Sequence, residues 1–395
     1  MPLFLALLTR YIFDRIPHKN STHYQIILKT GEMFYNFIYK FYGVQFSFLN
    51  IFKYITFRSI CAFFTSFILI LLFGQKIIQI LKKYQVNGQP IRDDGPQSHI
   101  DSKKGTPTMG GIIIIASILV GSLLWGDLCS PKLWLCLGIL VSFGAIGATD
   151  DCRKLKTMDY HGLSGKKKLC LQTIVSIICW YIAMQFANFD GSTSVFFPIF
   201  KNCQIELGSL FIFWAIFVTI GSSNAVNLTD GLDGLAMGPV IMSSICFAVI
   251  SYVVGHTIFA DYLHITYVPG MAEVCVFLSS LVGASLGFMW FNAPPAKIFM
   301  GDTGSVAIGG VLGFVATLSK QEMIYAIVGG VFVIETISVI LQVGYYKITH
   351  KRIFLMSPIH HHFEKKGWSE SVVVFRFWII SIALGILGLS TLKIR

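Results

Sequence analysis

Ten apolar runs of about membrane-spanning length dominate this chain, near 57–77, 107–127, 132–149, 168–187, 204–223, 235–255, 271–291, 301–319, 323–345 and 373–392. In hydrocarbon every backbone N–H and C=O must be satisfied within its own segment, so runs of about 20 apolar residues become helices that cross the bilayer. The chain is therefore read as all-α, a polytopic integral membrane protein with about ten transmembrane helices. Composition agrees: 54% of the 395 residues are hydrophobic and 13% charged, against about 25% charged in a soluble domain. Glycines inside several runs allow close helix packing.

A net charge of +11 could in isolation suggest a nucleic-acid partner. Its distribution excludes that, because the basic residues occupy short loops, where they set topology. Lys76, Lys82, Lys83, Arg92, Lys103 and Lys104 follow the first run; Arg153, Lys154, Lys156 and Lys166 to Lys168 the third; Lys347, Lys351, Arg352, Lys365 and Lys366 the ninth. The alternate loops hold only Lys132, Lys201 and Lys320. The basic set is cytoplasmic by this rule, which places both termini outside the cytoplasm, although the basic residues before position 50 argue the other way. Residues 1–53 contain no run long enough to span and no tidy cleavage site. They are read as an N-terminal extension, compatible with an interfacial position and with a start at Met33, and 54–395 as one membrane domain. Nine cysteines lie mostly inside apolar runs without a Cys-x-x-Cys pair, so packing is their expected role.

Polar clusters interrupt these runs on the basic side. Asn224, Asn227, Asp230 and Asp233 recur at three-residue steps within Asn224 to Ala236, and share one face if the backbone stays helical. Turn formation by the Asp-Gly pairs is the simpler alternative. Lys103 to Gly111 combines lysines with Gly, Pro and Thr108, a composition that lets backbone approach a phosphate. Asp150 and Asp151 end the third run, about 100° apart on a helix, so the two carboxylates should do different work. Negative charge there opposes the helix dipole and calls for a cation, Arg153 or Mg²⁺. Asp302 opens a helix after Phe299-Met-Gly, with Ser305 in its first turn; Phe299 is an interfacial anchor or a stacking surface for a base. His360, His361 and His362 are adjacent, which disfavours convergence on one zinc ion. Glu335 and Gln342 are polar at membrane depth, where such groups are functional or paired. Three aspartate clusters, a lysine–glycine loop and a histidine triplet on one face describe a Mg²⁺ site for a polyanionic substrate, with a lipid phosphate as the second.

Gly105 to Gly111, Asp150-Asp151, Asn224 to Ala236, Phe299 to Ser305 and Pro358 to Glu364 resemble, in order, the motifs of the polyprenyl-phosphate N-acetylhexosamine-1-phosphate transferase superfamily. Within it, the histidine motif and loop order are most similar to the bacterial phospho-N-acetylmuramoyl-pentapeptide transferases. The likeness runs from about residue 54 to the C-terminus. It implies transfer of phospho-MurNAc-pentapeptide from UDP-MurNAc-pentapeptide to undecaprenyl phosphate, giving lipid I and UMP, at the cytoplasmic face of a bacterial inner membrane.

By resemblance, Asp302 is the principal Mg²⁺ ligand, joined by Asp151; Asp150, Asp151, Lys103 and His360 form the catalytic set. Thr108, Asn224, Asn227, Asp230, Asp233, Phe299, Gln342, His361 and His362 line the substrate site, with Phe299 on uracil. A homodimer is suggested by the resemblance alone. In a one-step route the lipid phosphate attacks directly with Asp150 as base, and in a two-step route an aspartate attacks first. The phosphate is already largely dianionic at neutral pH, which favours one step. Two rivals remain: a GlcNAc-1-phosphate transferase for another polymer, and a transporter for anionic metabolites.

Overall fold

The computed structural model describes residues 47–85, 88, 105–157, 162–186, 191–198 and 204–393. Lys103 and residues 1–46 of the expected extension lie outside them. Helices α1 (Ile55–Tyr84), α2 (Gly111–Trp125), α3 (Pro131–Thr157), α4 (Gly165–Gln185), α5 (Phe211–Thr229), α6 (Met237–Val254), α7 (Thr257–Leu263), α8 (Val274–Asn292), α9 (Gly301–Leu318), α10 (Glu322–Val328), α11 (Gly330–Thr349), α12 (Ile359–Lys365) and α13 (Glu370–Ser390) follow in order. One antiparallel hairpin, β1 (Ser194–Phe196) with β2 (Gln204–Glu206), joins α4 to α5. Among the described residues nine helices are long and apolar enough to cross a membrane, and α2, with 15 residues, is shorter.

The helices are apolar outward and polar inward, as lipid requires. On α11, Ile334, Ile337, Ile340 and Leu341 are exposed while Glu335, Ser338 and Gln342, on one helical stripe, are buried. The centre of the bundle is α9, nearly nine-tenths of which is buried; it packs on α5, α3 and α2, while α8 packs along α1 and α6. At one end of the bundle Arg58 of α1 donates two bonds to Glu273, at 2.6 and 2.8 Å, and one to Trp125 O. This buried bidentate pair ties the amino end of α1 to the entry of α8 and the exit of α2.

Several expected spans are modified: the third, expected to end at 149, continues to Thr157, and the fifth, expected from 204, opens on β2 and becomes α-helical at Phe211. The second, expected from 107, begins at Gly111 because residues 107–110 pair with a loop instead: Phe299 N–H donates to Pro107 O, Gly110 N–H to Phe299 O and Gly111 N–H to Met300 O. The ninth, expected as one run over 323–345, divides at Gly329 into α10 and α11 and continues to Thr349. Glycine pairs are where helices break readily.

Two glycines decide where α9 begins. A Cβ on Gly147 of α3 would overlap the Asp302 carbonyl, and one on Gly111 of α2 would overlap the Gly304 amide. Both neighbours are backbone and cannot swing aside. Gly147→Ala is therefore expected to lower stability by about 1–3 kcal/mol, read as thermal unfolding in detergent; an unchanged midpoint would show that α3 and α9 can separate at no cost.

Candidate active site

Asp150 and Asp151 leave the last turns of α3, and Asp302 enters the first turn of α9 beside them. One ligand atom from each of the three carboxylates falls within 4.8 Å of the others. The two neighbours on α3 do different work, as their angular separation requires. Asp151, 1% exposed, accepts from the Asp302 N–H at 3.1 Å, the Thr303 N–H at 2.9 Å and the Thr303 hydroxyl at 2.7 Å. It thus satisfies amides that the first turn of any helix leaves unpaired, and meets the positive end of the α9 dipole. Asp150 accepts from the Leu163 N–H at 2.7 Å and pairs with Lys154 at 2.6 Å. The cation expected beside these aspartates is Lys154, one helical turn on; Arg153 is exposed.

Asp302 is held from three sides. Lys168 of α4 lies 2.5 Å from Oδ2, Lys154 lies 3.2 Å from Oδ1, and Asn227 of α5 donates to Oδ1 at 3.0 Å and to Ser305 Oγ at 2.8 Å. Among the described residues two ammonium groups leave one of the three carboxylate charges uncompensated. The cluster therefore fits a hard divalent cation on donor chemistry, proximity and charge, with Asp302, Asp151 and Asp150 as the oxygens that would hold it.

The Asn224 to Ala236 stretch is helical only in part. Asn224 and Asn227 share a face of α5, where Asn224 donates to Gln172 Oε1 of α4 at 3.1 Å. The helix stops at Thr229, and Gly234 takes φ +73°, so the four-residue face does not form. Beyond the break Asp233 accepts from the Ala296 N–H at 2.9 Å, and its own N–H donates to Glu370 at 2.8 Å. Asp233 is thereby a brace between the Pro-Pro loop and α13.

The three histidines diverge. His360, wholly buried, approaches Glu335 of α11 at 3.1 Å and packs against Gly231, where a Cβ would overlap its Nε2. His361 meets Glu364 at 2.7 Å, and His362 Nδ1 accepts from the Leu355 N–H at 3.1 Å. Burial, with Lys366 beside it, holds the His362 imidazole below its usual value, in keeping with the neutral ring that an accepting nitrogen needs. Gln342 accepts from the Ile353 and Phe354 N–H groups and donates to Phe354 O, folding residues 350–358 back onto α11. Thr108 is buried, its backbone gripped in both directions by the Gln85 amide, with its hydroxyl beside Gly301 and Asp151. Phe299 is half-buried at the lip of the same loop.

The structure thus joins Asp150, Asp151, Asp302, Asn227 and Thr108 at one locus, and brings His360 against the turn at Gly231. Sequence reading passed over Lys154 and Lys168, counted only as topology-setting charges, and Gln172. The four-residue step from Asp150 to Lys154 was a usable signal. Nothing local pointed to Lys168, which is 134 residues from Asp302.

Comparisons with known proteins point the same way. Residues 133–320 match the model described as glycosyl transferase family 4, and residues 103–115 match a signature described as phospho-N-acetylmuramoyl-pentapeptide-transferase signature 1. The chain is 54% identical over 351 residues, 89% of its length, to a phospho-N-acetylmuramoyl-pentapeptide-transferase of Pelagibacter ubique, of which it covers 97%.

Removing the partner of buried His360 should be costly. Glu335→Ala is expected to destabilise by about 2 kcal/mol, the cost of an orphaned buried polar group, and Glu335→Gln to recover most of it. A Glu335→Ala midpoint equal to that of the unmodified protein would show that the pair contributes nothing.

Proposed function

From the premise that the chain belongs to the phospho-N-acetylmuramoyl-pentapeptide transferase family and acts in peptidoglycan synthesis, we propose how its residues divide the work. The reaction passes phospho-MurNAc-pentapeptide from UDP-MurNAc-pentapeptide to undecaprenyl phosphate, leaving lipid I and UMP. The observation that carries the assignment of the site is the three-carboxylate cluster at one end of a membrane bundle, its ligand atoms within 4.8 Å of one another. The basic loops border that end, so by the positive-inside rule it faces the cytoplasm of a bacterial inner membrane, where a UDP-sugar is available.

Asp302 and Asp151, with Asp150 beside them, would hold Mg²⁺, which when bound would neutralise phosphoryl charge. Lys154 and Lys168 keep Asp302 ionised and in place while presenting positive charge to a diphosphate. Asn224, Asn227 and Asp230 line the donor site, and Asp233 braces the loop that presents Phe299 to uracil. Thr108 borders the nucleotide end, where the resemblance also assigns Lys103 a role, and His361 and His362 contact phosphate or sugar. His360 acts from behind, fixing α12 to α11 and to the turn at Gly231; Gln342 holds the neighbouring loop.

The chemistry is one in-line displacement. A lipid phosphate oxygen forms the new bond to the sugar-bearing phosphorus as the bond to UMP breaks. An acceptor that is mostly a dianion at neutral pH needs little help from a base, and the positioned charges supply most of the effect. Asp150, already committed to Lys154 and the Leu163 amide, orients rather than attacks.

The test is UMP release by the detergent-purified protein. Release should require UDP-MurNAc-pentapeptide, undecaprenyl phosphate and Mg²⁺ together, and Asp302→Asn should lower it by about 100-fold or more. Release with UDP-GlcNAc in place of the pentapeptide donor would overturn the donor assignment, and full activity in a chelator would remove the metal.

A further inference from the structure

Ser319, Lys320, Gln321 and Glu322 link α9 to α10 at the end of the bundle opposite the aspartates. All four are buried, Lys320 to 2%, Gln321 to 1% and Glu322 to 4% exposure. The 18 residues of α9 separate this turn from Asp302 by about 27 Å, at about 1.5 Å per residue, so it takes no part in phosphoryl transfer. Among the described residues, the Lys320 ammonium, both amide atoms of Gln321 and both carboxylate oxygens of Glu322 have no hydrogen-bond partner. Native structures rarely leave one such atom unexplained, and here they gather in a single turn.

Lys320 also lines a pocket, with room for one small group, together with Lys132, Trp180, Ser192, Phe211 and Thr317. Lys132 is itself 8% exposed. The Lys320 ammonium lies 3.4 Å from the centroid of the Phe211 ring, a cation–π contact that favours the charged form. Burial brings the lysine down to about 8, with Glu322 opposing that shift, so it stays mostly protonated at neutral pH. Burial pushes the Glu322 carboxyl up to about 7, so among the described residues Lys132 and Lys320 leave positive charge in excess in a low-dielectric setting, where an unpaired ion is costly.

We propose that this pocket binds one compact monoanionic group on Lys320 and Lys132, either a free halide-sized ion or the phosphodiester oxygen of a lipid headgroup, and that the bound anion locks α9 to α10. One compact negative charge offsets the positive excess, and a larger polyanion would exceed the space. The site is separate from the transferase centre, so the proposal does not depend on the donor or metal assignments above.

The experiment uses the full-length protein, delipidated in detergent, with thermal unfolding followed at constant ionic strength. In one arm chloride replaces gluconate; in the other, phosphatidylglycerol is added in place of phosphatidylcholine. A free-ion source predicts a rise of about 3 °C or more with chloride, and a lipid source the same rise with phosphatidylglycerol only. In either case Lys320→Met loses the response and Lys320→Arg keeps it. Should Lys320→Met fail to fold, Lys132→Met and the broadening of the chloride-35 resonance by the unmodified protein provide the reading for the free ion, and retention of phosphatidylglycerol through purification provides it for the lipid. An unmodified protein indifferent to both anions, or a response undiminished in Lys320→Met, overturns the proposal.

Discussion

The amino terminus of α9 rests on the Asp151 carboxylate, and the rest of the three-aspartate end depends on that contact. A helix that starts inside a membrane bundle exposes unpaired N–H groups and a partial positive charge, both costly to bury alone. A buried carboxylate on another helix has the opposite problem, a negative charge without solvent. Placed against each other, the two defects cancel. The contact brings Asp302 beside Asp150, and the charge that accumulates there is answered by Lys154 from α3 and Lys168 from α4.

The close approach needs small residues on both sides. Gly111 and Gly147 let α2 and α3 touch the backbone of α9's first turn, and the strand-like pairing of residues 107–111 with 299–300 fixes the height at which α9 begins. The rigid centre thus carries the carboxylates. Loops and short helices hung from it carry the remaining motifs: Asp233 and Asn292 hold the Pro-Pro loop, Gln342 folds residues 350–358 back, and the Glu335–His360 pair pins α12 to α11. A conformational change on substrate binding is most easily accommodated in these attached pieces, since α9 is buried along nearly its whole length.

The two ends of α9 solve the same electrostatic problem in different ways. At the aspartate end, carboxylates outnumber ammonium groups among the described residues and the deficit suits a cation. At the other end, Lys132 and Lys320 outnumber Glu322 and the deficit suits an anion. Burial makes each imbalance consequential; at a solvated surface neither would matter much.

The amino-acid sequence by itself determined the membrane class, the apolar runs and the family to which the motifs belong. Those properties are set by run length and by residue types at short spacing, both of which are local. It also separated the tasks of Asp150 and Asp151, because 100° per residue is a property of any helix. Tertiary structure decided which partner each charge takes. Lys168 reaches Asp302 across 134 positions, Asp233 leaves the expected helical face because α5 ends at Thr229, and the histidines point to three different neighbours. In each case the outcome rests on which helices lie side by side, a matter of packing between segments far apart in the chain that no local pattern encodes.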